Sequence, residues 1–310
     1  MAKSIDLSPY KSIRLAVSGD VALNRLEVSL VDTTDFQRLR AIKQLGTCSY
    51  VYPTALHTRF DHSLGTQAMA CRMLQSIMQK QSIPAEQVQL VRVFALLHDI
   101  FHIPFGHTLE DEFCIFPRHD ENTTRIDRFV GEESAIGRKI IKAMGRDWHA
   151  RLYGLFLGGR EVQPDDYFIL DLVTNTICAD LLDYLQRDAF FCNISMDSDY
   201  RFLRHLDIVK HEGFSRLAIR LWKEGTSAPR RDVLNELIRL LDNRYLLGER
   251  VYFHHAKLVA GAMIAGAVAR AKADGEINED QLIEFGDETL IHHLRKSSCQ
   301  PAAHLMTCLA

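Results

Sequence analysis

A chain of 310 residues with 47% hydrophobic and 25% charged side chains can bury a large core and has the balance of an ordinary globular protein, which excludes the disordered and fibrous classes. A net charge of −3 gives no general affinity for nucleic acid or anionic lipid, so any polyanion has to be met by a local basic pocket. The seven cysteines form no CxxC pair, and the start has no apolar targeting segment and the chain no apolar run of membrane-spanning length. The expectation is a reduced, cytoplasmic protein without membrane contact.

In chain order, residues 11–31 alternate apolar and polar around Gly19-Asp20 and predict a small β-hairpin. From Asp35, the spacing of Phe36, Leu39, Ile42 and Leu45 predicts a helix ending at Gly46. An extended Tyr50–Pro53 segment follows, then a helix from about His57 to Lys80 and another from about Ala85 to Ile100. The polar, breaker-rich stretch 115–131 predicts a loop beside the site. Residues 132–156 read as helical, 158–166 as a second loop, and 167–191 as one long helix. A short β element is expected near 205–222, then helices from Arg231 to Gly248 and from about Arg250 to Ala273. The predicted class is mainly α, in a single domain over residues 1–310 with a catalytic core at about 35–275. The end, from Cys299 to Ala310, reads as an arbitrary stop of a longer chain.

The apolar run Leu90–Leu97 delivers His98-Asp99 to a polar site, with His62 upstream and Asp180 downstream. An imidazole buried beside a carboxylate costs free energy unless something binds both, and a metal ion is the economical partner. His62, His98, Asp99 and Asp180 are therefore the candidate ligands of one divalent metal. Two imidazoles and two carboxylates without sulfur suit Mn, Fe, Co, Ni, Mg or Zn with open water positions rather than a structural zinc. Arg59 and His62 share a helical face, so a cation there can hold a phosphate beside the metal. His98 and His102 share a face if the helix continues, while Pro104 and Gly106 turn His107 in from another direction. Asp180, Tyr184 and Asp188 form one polar stripe, with the metal at one end and the organic part of a substrate at the other.

These residues resemble the HD-domain phosphohydrolases, and among them the deoxynucleoside triphosphate triphosphohydrolases. The likeness runs from about residue 15 to 295, through Phe36–Gly46, His57–Gly65, His98–His107, Asp180–Asp188 and Arg250–His254. It implies an HD-type helical bundle and repeats the metal set His62, His98, Asp99 and Asp180. It further implies that His102 and His107 lie close to the scissile phosphate with Arg59 on a phosphate oxygen. Gln44 and Leu45 would line the sugar, Tyr184 and Asp188 would pack on it and bond its 3′-hydroxyl, and Arg244 and Tyr252 would hold the distal phosphate and the nucleoside. A nucleotide effector and homo-oligomeric assembly are implied in the same way.

Three positions depart from the family pattern. Its catalytic histidine aligns with Gly131, although Glu110, the partner, is present; His119 is the candidate replacement. Leu181 stands where a phosphate-binding lysine is expected, and Phe253 where a base-contacting glutamine is expected. The expected activity is metal-dependent hydrolysis of a dNTP to deoxynucleoside and triphosphate. The alternatives are a phosphatase or phosphodiesterase on a monophosphate, cyclic nucleotide or alarmone, or a nucleotide sensor with weakened turnover. Nucleic-acid binding through Arg38, Arg40 and Lys43 is disfavoured against a solvated helix face.

Overall fold

The structure, a computed structural model, describes residues 5–196, 199–223 and 225–309. It opens on an antiparallel hairpin, β1 (Lys11–Leu15) and β2 (Gly19–Leu23), in a register that opposes Ile13 and Val21. The short helices α1 (Arg25–Val31) and α2 (Thr34–Gln37) lead through 3₁₀ turns to α3 (Arg59–Met78) and α4 (Ala85–Leu97). Then come α5 (Thr123–Val130), α6 (Ala135–Met144), α7 (Arg146–Leu157), α8 (Tyr167–Thr174) and α9 (Ala179–Phe191). A second antiparallel hairpin, β3 (Leu206–His211) and β4 (Phe214–Ile219), precedes α10 (Arg231–Leu247), α11 (His255–Ala273), α12 (Glu279–Glu284), α13 (Asp287–Arg295) and α14 (Gln300–Cys308). The fold is mainly α with two small two-stranded sheets. No single helix among the described residues is long and apolar enough to cross a membrane.

α3 lies at the centre, packed against α4 on one side and α9 on the other. α4 has no solvent face over its last two turns: Leu90, Val91, Val93, Phe94, Ala95, Leu96 and Leu97 are all buried. Each of the larger side chains contributes roughly 1.5–3 kcal/mol on burial, so this helix is a rigid post for whatever follows it. α3 starts at a capping box, in which Thr58 accepts from the Asp61 amide and Asp61 accepts from the Thr58 amide. Asp61 is thereby an N-cap partner, which leaves His62 one helical turn on and pointing inward.

The structure departs from the sequence reading where chain breaks are local. The helix expected from Asp35 is only one α-turn followed by 3₁₀ turns, and Tyr50–Pro53 continues as turns rather than an extended strand. The stretch read as a loop over 115–131 contains α5, capped by Asn122, whose side chain accepts from the Arg125 amide. The helical region 132–156 is divided at Gly145, whose φ of +95° favours glycine. α4 stops at Leu97, so His98 and His102 do not share a continuing helix. The helix expected over 167–191 is broken by extended Asn175 into α8 and α9. That break puts Asp180 in the first turn of α9, at the end nearest α3.

α3 and α9 approach most closely at Gly65. A Cβ added there would lie 2.0 Å from Arg187 Nη2 and 2.1 Å from Asp183 Oδ1, and both side chains are buried and paired. The Gly65→Ala variant is therefore expected to lose about 2 kcal/mol of stability, a fall on the order of 5 °C in Tm for a chain of this size. It is also expected to lose metal, because Asp183 supports His62. Calorimetry with metal analysis checks this, and an unchanged melt with full metal content would refute it.

Candidate metal centre and substrate cleft

Four side chains from three parts of the chain meet between α3, the end of α4 and the start of α9. His62 Nε2 lies 2.9 Å from Asp180 Oδ1, 3.3 Å from His98 Nε2 and 3.8 Å from Asp99 Oδ2. His98 Nε2 is 3.5 Å from Asp99 Oδ1 and 3.6 Å from Asp180 Oδ1. Ligands about 2.0–2.2 Å from one ion sit roughly 3 Å apart when adjacent, so this spacing fits one shared divalent cation.

The hydrogen bonds behind the ring nitrogens support the same conclusion. His98 Nδ1 faces the Ala95 carbonyl at 2.8 Å and must carry the proton, which leaves Nε2 a lone pair aimed into the cluster. His62 Nδ1 donates to Asp183 Oδ2 at 2.9 Å. Asp183 is gripped by Arg187 Nε and Nη2 at 2.9 and 2.8 Å, and Arg187 also donates to Ser18 Oγ in the β1–β2 turn. Two imidazole lone pairs facing each other at 3.3 Å repel unless a proton or a metal lies between them. Burial alone would depress His62, but its hydrogen bonds to Asp180 and Asp183 outweigh burial and push it up to about 10. The carboxylates thus call for positive charge at the position a metal would fill, and the residues fit the group.

The chain that carries His98 to His107 leaves the helix, and its orphaned backbone groups are satisfied by side chains from elsewhere. Arg38 donates to the Ile100 and His102 carbonyls, both at 2.7 Å, and Arg125 donates to the Phe101 carbonyl at 3.2 Å. Arg38 is therefore structural, and its burial lowers it to about 10. Phe105 adopts φ +54°.

Beside the cluster opens a cleft of about 800 Å³. At its polar end stand Arg59, His98, Asp99, His102, His107, His119 and Asp180. Arg59 Nη1 donates to Asp99 Oδ2 at 2.5 Å. His102 is fully buried, with Nε2 3.3 Å from Asp99 Oδ1 and Nδ1 3.7 Å from Glu110 Oε2, and burial with Arg59 and His119 nearby holds it well below the usual imidazole range. The His119 ring lies against it at 3.6 Å between centroids. His119 Nδ1 bonds Glu110 Oε2 at 3.0 Å, Arg125 pairs with Glu110 Oε1, and Glu279 of α12 accepts from Arg125 at 2.6 and 2.9 Å. Burial would raise Glu110, but His119 and Arg125 outweigh it and lower its pKa. His107 is exposed and bonds Asp111 at 2.6 Å.

The same cleft is also lined by Gln44, Leu45, Tyr184, Asp188, Tyr252 and Phe253. Both Asp188 oxygens are held: His57 Nε2 lies 2.8 Å from Oδ1, and the Tyr252 hydroxyl donates to Oδ2 at 2.8 Å. Arg244 is exposed on α10 and does not line the cleft, while Lys43, Arg118 and Lys257 do. Gly131 caps the end of α5 and does not line it either.

Sequence reasoning assigned no role to Asp183, Arg187, His57 or Arg125, and it placed Arg38 on a solvated helix face, whereas the Arg38 guanidinium donates to the Ile100 and His102 carbonyls. Asp183 and Arg187 carried a usable signal: opposite charges at i, i+4 beside the cleft-lining stripe of Asp180, Tyr184 and Asp188 are spaced to pair with each other. The others are recruited from distant segments.

An HD domain model matches residues 59–188, and a model described as an HD associated region matches residues 236–310. An uncharacterized protein of Methanocaldococcus jannaschii is 33% identical over 294 residues, covering 93% of this chain and 55% of that protein. The deoxynucleoside triphosphate triphosphohydrolase SAMHD1 of Homo sapiens is 28% identical over 298 residues (86% of this chain, 45% of that protein). Its homolog in Dictyostelium discoideum is 28% identical over 300 residues (91% and 52%). The chain spans about half the length of these curated relatives. Among solved structures, a hypothetical protein from Aquifex aeolicus superposes with a TM-score of 0.75 at 26% identity, covering 96% of this chain and 75% of that one. With this His/Asp cluster at the junction of its helices, the chain is a member of the HD-domain phosphohydrolase superfamily, with relatives among the deoxynucleoside triphosphate triphosphohydrolases.

Proposed function

We propose that the protein hydrolyses dNTPs to deoxynucleoside and triphosphate, with one divalent metal held by His62, His98, Asp99 and Asp180. The observation that carries this reading is one cleft lined both by His98, Asp99 and Asp180 with His102, His107 and His119, and by Gln44, Leu45, Tyr184, Asp188 and Tyr252. Such a cleft suits a phosphate tail joined to a sugar. The metal supplies Lewis-acid polarisation of a phosphoryl oxygen and activation of water. Arg59, fixed by Asp99, presents its guanidinium to a phosphate oxygen. His102, neutral and beside Asp99, turns a ring N–H to the same phosphoryl group, and His107 adds a more exposed contact at the rim. His119, with Nδ1 anchored on ionised Glu110, keeps Nε2 for the proton that the leaving 5′-oxygen must gain. Asp188, oriented by His57 and Tyr252, receives the sugar 3′-hydroxyl beside Tyr184.

With Arg244 outside the cleft, the distal phosphates fall to Lys43, Arg118 and Lys257. The same observation favours a second reading, a phosphatase or phosphodiesterase acting on a nucleotide with a shorter phosphate. All seven cysteines are free thiols, which supports a reducing, cytoplasmic setting. Self-association and a nucleotide effector rest on likeness to relatives alone.

Mn-loaded protein incubated with each dNTP is expected to release deoxynucleoside and inorganic triphosphate, resolved by ion-pair chromatography, with no product from the His98→Ala/Asp99→Ala double variant. Release of pyrophosphate or phosphate instead, or no product from any dNTP, would overturn the triphosphohydrolase reading. The His119→Ala variant is expected to lower kcat by about 10²–10⁴-fold while KM and metal content hold. Full turnover with metal intact would remove His119 from the chemistry. Glu110→Gln is expected to lower kcat less than His119→Ala, because the glutamine oxygen still accepts from His119 Nδ1 but without the negative charge.

A further inference from the structure

The N-terminal residue of α13, Asp287, sits far along the chain from the cluster, yet it is buried (1% exposed) against both segments that form the floor of the cleft. Its Oδ2 accepts from the Lys43 amide at 2.8 Å, and its Oδ1 accepts from the Phe105 amide at 3.0 Å. Lys43 begins Lys43–Gly46, which carries Gln44 and Leu45; Phe105 lies between His102 and His107. One carboxylate therefore joins the sugar end of the proposed site to its phosphate end. Two further observations show that this contact is built in. Phe105 holds φ +54°, a conformation costly for a bulky residue and kept only where its surroundings fix it. Gly286, just before Asp287, meets residue 41 so closely that a Cβ would come 2.5 Å from Ala41 Cβ.

We propose that Asp287 is a positioning residue that sets the spacing between Gln44–Leu45 and His102–His107, and with it the productive placement of a sugar-linked phosphate chain. The inference deepens the nucleotide reading of the preceding subsection and rests on it for the substrate. The carboxylate is suited to the task because each oxygen meets one backbone N–H, and no neutral side chain of this size offers two acceptors in that geometry. Burial, against the two amides and the nearby Lys43 and Arg59 charges, pushes Asp287 up to about 6. A carboxyl raised in the folded state gives stability that is full below about pH 4 and is lost as pH rises through about 6. The fold thus retains a carboxylate at neutral pH that costs it stability, as a positioning role requires.

The test compares Mn-loaded wild type with Asp287→Asn, which keeps the shape but turns one acceptor into a donor facing an N–H, and with Asp287→Ala, which removes both acceptors. Hydrogen exchange at the Lys43 and Phe105 amides, metal content, titration with inorganic tripolyphosphate and dNTP kinetics are measured on each. The expected result is at least a tenfold loss of protection at both amides and about a tenfold weaker tripolyphosphate affinity at unchanged metal content. With dNTPs, kcat per metal-loaded protein is expected to fall and KM to rise together, whereas a loss of folded protein alone would lower the apparent kcat and leave KM unchanged. Unchanged protection, or lost protection with unchanged tripolyphosphate affinity, overturns the inference, as does metal loss in parallel with affinity in both variants. Wild type that binds tripolyphosphate but hydrolyses no dNTP overturns the substrate reading alone. Wild type that binds neither overturns both.

Discussion

Two imidazole nitrogens held 3.3 Å apart with their lone pairs converging face three carboxylates; Arg59 pairs with Asp99 and Arg187 with Asp183, while Asp180 meets the two imidazoles, and the space between these groups calls for positive charge. The surrounding architecture serves that demand. α4 is buried on every side, so its end does not move. The capping box of α3 fixes the turn that carries His62, and the break at Asn175 brings the first turn of α9 into line. Behind His62, the buried Asp183–Arg187 pair sets which nitrogen carries the proton, and Gly65 gives that pair its room. Such pairs add little net stability; their value is that they orient a ligand.

The second theme is how a turn rich in functional groups survives inside a protein. Leaving the helix at His98 orphans carbonyls and amides that water cannot reach, and the chain answers with long cationic side chains from the 3₁₀ turn after α2 and from α5, and with a carboxylate from α13. The polar end of the cleft is therefore assembled from the whole length of the chain, and Glu279 on α12 extends the same support through Arg125 to Glu110 and His119.

This explains what could and could not be read from the sequence. The helical class, both hairpins and the grouping of His62, His98, Asp99 and Asp180 were legible because they depend on local period and on residue types with few uses. The extent of α4 was misread because tertiary hydrogen bonds from Arg38 and Arg125 replace its next turn, and that of the 167–191 helix because Thr174 and Asn175 turn their side chains back onto Leu170 and Asp171; nothing in the apolar pattern marks either exchange. α5 was hidden by its polar surface, since its one buried cation, Arg125, reads as solvated until Glu110 and Glu279 come to meet it. Arg244 was expected at the cleft from likeness alone, whereas its position on an exposed face of α10 is set by how that helix packs.

The two stretches matched by family models look like separable modules, 59–188 and 236–310. The hydrogen bonds do not respect that division: Tyr252, Glu279 and Asp287 from the second stretch hold Asp188, Arg125 and Phe105 from the first. A lineage that split or recombined the gene between these stretches would keep every residue of the His/Asp cluster and lose the shape of the cavity around it. Selection on the cavity therefore acts on both stretches together, and an amino-acid change in either one alters the context in which changes in the other are tolerated.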